Sequence, residues 1–247
     1  MRKQLVWILV VTLCLGVMSV GAVAAQDKVA LKLGEIVKGS ITQDALEVSY
    51  SFSGKKGDII TLEALPDPDQ ADLNPTVELR NSKGETLAIN DEFSFPLALA
   101  IAALPADGDY IAVVGRSGGI ENGDSLGPYL LRVSVAKLVG SGSKIDTKIS
   151  SDNNAPSQIY VMRPEKNGPM DITFSQKIGE NYASINVNKW IPNDYPDTLF
   201  NLDSTAKLSK ATLSVDLEVD TFYVIELKQT AYSFSDPVDF PVTVELK

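Results

Sequence analysis

From about residue 30 onward, apolar and polar side chains alternate in short runs that Gly, Pro, Asn and Asp interrupt every few residues. Leu46, Val48, Tyr50 and Phe52 alternate with Glu47, Ser49 and Ser51, the period of two that marks a strand with one buried face. Gly54-Lys55-Lys56-Gly57-Asp58 predicts a turn, after which Ile60, Leu62 and Ala64 resume the alternation. Pro75–Asn81 and Glu85–Asn90 flank Ser82-Lys83-Gly84 and read as a hairpin. Further strands are expected at Gly108–Gly115 and Pro128–Lys137. No later segment carries a helical stripe with caps, so the pattern predicts an all-β protein.

The second half repeats the first. Tyr110-Ile111-Ala112-Val113-Val114 is matched by Tyr223-Val224-Ile225-Glu226-Leu227. Pro128-Tyr129 before Leu131 and Val133 is matched at the same offset by Pro241-Val242 before Val244 and Leu246, and Leu104 by Leu217. A shared offset with the same inward-facing alternation argues for a duplicated domain. Residues 28–138 and 144–247 are the expected units, joined by a flexible linker at 139–143, where Gly140-Ser141-Gly142-Ser143 stands. Each unit has room for about eight short strands, which suggests two tandem jelly-roll or immunoglobulin-like β-sandwich domains. The Cys-Trp-Cys pattern of a true immunoglobulin domain is missing.

The segment from Met1 to Ala25 changes the compartment. Arg2 and Lys3 precede an apolar run from Leu5 to Val20, and small side chains follow at Gly21-Ala22-Val23-Ala24-Ala25. That order is a cleaved secretory signal peptide, residues 1–25, with Val23 and Ala25 at the positions a signal peptidase reads. Cys14, the one cysteine, lies inside the apolar run after Leu13, where a lipoprotein signal would need a small residue. The expected location is secreted and extracellular, or periplasmic if the cell has an outer membrane.

Charge and missing residues narrow the function. The chain has 22 Lys and Arg against 32 Asp and Glu, a net charge of −10, and an acidic surface repels phosphate backbones and anionic lipid heads. Nucleic acid is therefore not an expected partner, and no membrane span is expected in the mature chain. Without histidine there is no Ser-His-Asp triad and no histidine metal site. Without cysteine after cleavage there is no thiolate nucleophile and no disulfide, so the domains must be held by apolar cores alone. The expectation is a protein that is not an enzyme, with no cofactor.

The first half resembles the bacterial pre-peptidase C-terminal domain. Leu33-Gly34 with Val37-Lys38-Gly39-Ser40-Ile41 is similar to that family's opening strands, and Tyr50-Ser51-Phe52 with Gly57-Asp58-Ile59-Ile60-Thr61-Leu62 to its core pair. Thr76-Val77-Glu78-Leu79, Gly84, Leu87-Ala88 and Asn90-Asp91-Glu92 resemble its central hairpin and acidic turn. Leu104-Pro105-Ala106-Asp107-Gly108-Asp109-Tyr110 and Gly127-Pro128-Tyr129-Leu130-Leu131 resemble its closing strands. The resemblance covers residues 30–138, and the second half departs with Val219-Asp220-Thr221 in place of the Gly turn. It implies a jelly-roll-like sandwich and a non-catalytic accessory module, linked in some relatives to substrate or matrix binding. No peptidase domain precedes the modules, so a stand-alone protein is expected.

Three constellations remain as candidate chemistry. Asp67, Asp69 and Asp72, and separately Asn90, Asp91 and Glu92, place oxygens of the kind calcium takes, but neither run fits an EF-hand loop and solvated turns explain both. The segment Asn188 to Phe200 stands where the first half has the tight Ser82-Lys83-Gly84 turn. Within it Trp190 and Tyr195 offer rings for stacking on sugars, and Asn193, Asp194 and Asp197 accept hydroxyl hydrogens. The alternative is a loop folded over the sandwich edge with Trp190 filling the core. Acid-base hydrolysis of glycosides by an Asp/Glu pair is the least supported reading, because nothing singles a pair out. The expected activity is a binding or structural module for an extracellular polysaccharide or protein.

Overall fold

The computed structural model describes residues 29–67, 72–90, 97–150, 157–177, 183–191, 196–202, 209–229 and 239–247. The expected signal segment, and Asp69, Asp91 and Glu92, lie outside them.

Among the described residues, alternation in the sequence becomes nine strands per half. The first half runs β1 (Val29–Ala30), β2 (Ile36–Ile41), β3 (Val48–Gly54), β4 (Ile59–Pro66), β5 (Pro75–Asn81), β6 (Thr86–Asn90), β7 (Ala98–Ala103), β8 (Gly108–Arg116) and β9 (Gly127–Val135). A four-residue helical turn, α1 (Gly119–Asn122), interrupts it after Gly118, whose φ of 80° suits glycine. The second half runs β10 (Leu138–Val139), β11 (Lys144–Ser150), β12 (Gln158–Met162), β13 (Gly168–Gln176), β14 (Ala183–Lys189), β15 (Asp197–Leu202), β16 (Lys210–Leu217), β17 (Tyr223–Gln229) and β18 (Asp239–Leu246).

Strands β1-β3-β8-β5-β6 form one sheet of the first half and β2-β9-β4-β7 the other. The second half has β10-β12-β17-β14-β15 and β11-β18-β13-β16, the same order strand for strand, including a parallel opening pair in each. Leaving that opening strand aside, each half is eight strands wound into two antiparallel four-stranded sheets, the jelly-roll arrangement. Strand order thus selects the jelly roll from the two kinds of sandwich expected.

Two tyrosines at the shared offset play similar parts in the two halves. Tyr110, near the start of β8, donates its hydroxyl to Ala106 O at 2.7 Å; Tyr223 opens β17 and accepts from the Glu218 N–H at 2.8 Å. Each buried ring ties the preceding corner to its strand, as tyrosine corners do in other sandwiches. The turn before Tyr223 lacks glycine, and Asp220 there takes the left-handed conformation at φ 60°, which Asp and Asn tolerate best.

The Gly/Ser stretch at 140–143 is a tight turn and not a flexible tether. Gly140 N–H donates to Ser143 Oγ at 2.9 Å, Gly142 N–H to Leu246 O at 2.7 Å, and Leu246 N–H to Ser143 O at 3.0 Å. With β10 already paired to β12, the backbone crosses between halves near Ala136-Lys137.

Candidate functional site

Alternation fixes which side chains leave each sandwich. On β4, Ile60, Leu62 and Ala64 point into the first core, which puts Thr61 and Glu63 on the outside; yet both are buried. On β17, Tyr223, Ile225 and Leu227 enter the second core, and the outward Val224 and Glu226 are buried as well. The reason is that the outer face of β2-β9-β4-β7 meets the outer face of β10-β12-β17-β14-β15. Ile159, Val161, Trp190 and Val224 of the second half accordingly belong to the first half's apolar cluster.

A chain of hydrogen bonds runs through this contact. Arg132 grips both oxygens of Glu63, Nε at 3.2 Å from Oε1 and Nη2 on Oε2. The same Nη2 donates to Ser157 O at 3.2 Å, and Ser157 Oγ donates to Glu226 Oε1 at 2.9 Å. Asn186 Nδ2 donates to Glu226 Oε2 at 2.8 Å, with Lys228 Nζ 3.6 Å from the same oxygen. Burial pushes the Glu63 carboxyl above its ordinary value of 4.5, and the Arg132 guanidinium only partly offsets it.

Two grooves stand out among the described residues. The larger, about 770 Å³, lies between the halves over Thr61, Glu63, Arg132, Ser134, Ser157 and Gln158, with Lys137, Lys148 and Lys228 among its walls. The smaller, about 500 Å³, lies on the outer face of the first half's five-stranded sheet. Thr76 and Glu78 of β5 and Val113 and Gly115 of β8 form its floor, and Glu47, Ile89 and Ile120 its rim. Burial pushes Glu78 up, but hydrogen bonds from Arg80 and Thr86 outweigh it and hold the carboxyl below its ordinary value, ionised and fixed in place. Arg116 donates to Gly119 O and Ile120 O at 3.1 and 3.2 Å and so props the wall that carries Ile120, 55% exposed.

The register makes these two surfaces counterparts. Glu78 lies opposite Val113 as Asn186 lies opposite Glu226, and Val113 is related to Glu226 by the same offset that relates Tyr110 to Tyr223. Thr76, Glu78 and Val113 of the open groove therefore correspond to Ser184, Asn186 and Glu226 of the sealed interface.

Trp190 is 3% exposed, inside the apolar cluster that joins the halves, and its backbone N–H donates to Phe222 O at 2.8 Å. This corrects its expected role as a sugar platform: a ring buried on both faces has none to offer. Asn193, Asp194 and Tyr195 lie outside the described residues, and Asp197 is exposed at the start of β15. Asp67 is 3.5 Å from Lys38 Nζ, Asp72 is exposed, and no group of three Asp or Glu able to hold a metal ion occurs among the described residues. Glu63, Arg132, Glu226 and Glu78 were not foreseen, since a charged residue at an outward strand position looks the same in sequence whether water or another sheet covers it.

No protein-family model matches the chain, and no curated protein does. Among solved structures it is similar to the N-terminal CBM22-1-CBM22-2 tandem domain of Xyn10C from Paenibacillus barcinonensis, at 11% identity, with 80% of this chain and 82% of that one covered and a TM-score of 0.24. It is similar also to the human MASP-1/3 CUB1-EGF-CUB2 domain, at 10% identity, with 85% and 99% covered and a TM-score of 0.23. Likenesses at this level leave ligand and activity to be argued from the chain's own residues.

Proposed function

We propose that the chain is exported by the segment Met1 to Ala25 and acts outside the cytoplasm as a non-catalytic binding module of the pre-peptidase C-terminal kind, gripping an extracellular polysaccharide or protein through the open groove of its first sandwich. One observation carries this. The corresponding face of the second sandwich is already a recognition surface, because it holds the first half. The open copy keeps a shaped floor, a fixed carboxylate at Glu78 and an apolar rim at Ile89 and Ile120, the mixture of a few placed polar groups on apolar walls that binding sites use.

A catalyst would need a carboxyl oxygen free to reach substrate. Glu63 is held by Arg132, Glu226 by Ser157 and Asn186, and Glu78 by Arg80 and Thr86, so these carboxyls are structural or positioning groups. Mature protein incubated with extracellular polysaccharides and with a protein substrate is expected to be retained by one and to turn over neither. The double variant Glu78→Lys, Ile120→Asp is expected to lose at least tenfold in retention, with the core variant Trp190→Phe unchanged. Substrate turnover by the wild type, or equal retention of the groove variant, counts against the proposal.

A further inference from the structure

The described residues that line the groove between the halves are more basic than the chain as a whole. Among the described residues, four cations, Arg132, Lys137, Lys148 and Lys228, line it against two carboxylates, Glu63 and Asp239, in a chain where acids outnumber bases by 32 to 22. Arg132 is engaged by Glu63, and Lys228 is 3.6 Å from Glu226. Lys137 and Lys148 make no ion pair with a carboxylate among the described residues, and both are exposed. Lys137 is placed, not loose: its Nζ lies 5.3 Å from the centre of the Tyr160 ring, and its charge is felt at Glu63 across the groove.

We propose that this groove binds a short anionic oligosaccharide, its carboxylate or sulfate groups meeting Lys137 and Lys148 and its hydroxyls meeting the polar walls. The volume, about 770 Å³, is that of a small-ligand cleft. Thr61, Ser134, Ser150, Ser157 and Gln158 line it, side chains that both donate and accept, as sugar hydroxyls do. An acidic peptide fits less well. Strands β4 and β9 lie inside their sheet with their backbone paired on both sides, and on the β11 edge the Lys148 carbonyl already accepts from Gln158 Nε2 at 2.9 Å. Among the described residues, only the β11 edge could then take an added strand, and there the Gln158 side chain already occupies one of the carbonyls a peptide would use.

The test is calorimetric titration of the full mature chain with oligogalacturonate, hyaluronan and heparin-derived oligosaccharides, beside neutral cello-oligosaccharides and poly-glutamate. Binding of at least one anionic oligosaccharide is expected, at least tenfold tighter than poly-glutamate and weakening as salt rises. Lys137→Gln with Lys148→Gln is expected to lose at least tenfold with an unchanged melting temperature, whereas Glu78→Lys in the other groove leaves this affinity intact. No binding to any anionic oligosaccharide, equal or tighter binding of poly-glutamate or of neutral sugars, or full affinity in the double lysine variant overturns the proposal. Loss through Glu78→Lys alone would instead move the ligand to the open groove.

Discussion

Glu63 and Arg132 stand opposite each other across the β4–β9 ladder, on the face that the second half covers. Out of water, the ionised carboxyl is disfavoured, and even two hydrogen bonds from a guanidinium leave its pKa raised. A raised folded-state value means the folded chain keeps a proton that the unfolded chain has already released. The stability this gives is fully present below the ordinary value of 4.5 and is lost as pH rises through the folded value. Comparing wild type with Glu63→Gln isolates this titration. The unfolding free energy of wild type minus that of the variant should fall as pH rises from the ordinary carboxylate range towards neutrality, read from urea melts at stepped pH. A difference that stays level would show an unshifted Glu63, and one that grows would show that folding favours its ionised form; either counts against the raised value.

At the scale of an element, β2 shows how one small residue shapes a strand. Gly39 pairs with Tyr129 on β9, and the Tyr50 and Tyr129 hydroxyls meet at 2.8 Å just above it. A Cβ at Gly39 would come within 2.4 Å of Tyr129 Cζ and 2.6 Å of the Tyr50 hydroxyl. Both rings are buried, so neither can swing away cheaply. Burial, with the Tyr50 hydroxyl bond, also pushes the Tyr129 phenol well above its usual range. Gly39→Ala should therefore cost about 1–3 kcal/mol by overpacking, measurable as a lower urea midpoint. A variant as stable as wild type would mean that the tyrosine pair yields.

Across the whole molecule, two sandwiches are joined face to face, and the contact is apolar around a polar centre. Val224 is fully buried there, on a strand whose other face fills the second core. Val224→Asp would bury an unpaired carboxylate between the sheets while leaving each sandwich interior unchanged, at a cost of several kcal/mol. Wild type is expected to melt in one calorimetric transition and the variant in two, as the halves come apart. Two transitions in wild type would mean that the contact between the halves does not couple their unfolding. By register, Thr173 and Glu245 stand where the first half has Glu63 and Arg132, and exposed Asp171 and Ser214 with half-buried Thr173 make the outer face of β11-β18-β13-β16 polar.

Period-two alternation, turn residues and the repeated Tyr110 and Tyr223 made the all-β class, most strand positions and the two-unit organisation readable from the chain, because local burial imposes them residue by residue. The choice of jelly roll came only from strand order, which depends on pairings between distant segments. The site was less legible. Trp190 looked like a loop aromatic, and Glu63 and Glu226 like ordinary outward charges. What covers an outward position is decided by how one sheet lies on another, and no periodicity records that. So the sequence by itself determined two amphipathic sandwiches on an acidic chain. Only the tertiary structure decided that one outer face is sealed, that its counterpart is left open and that a basic groove forms between the halves.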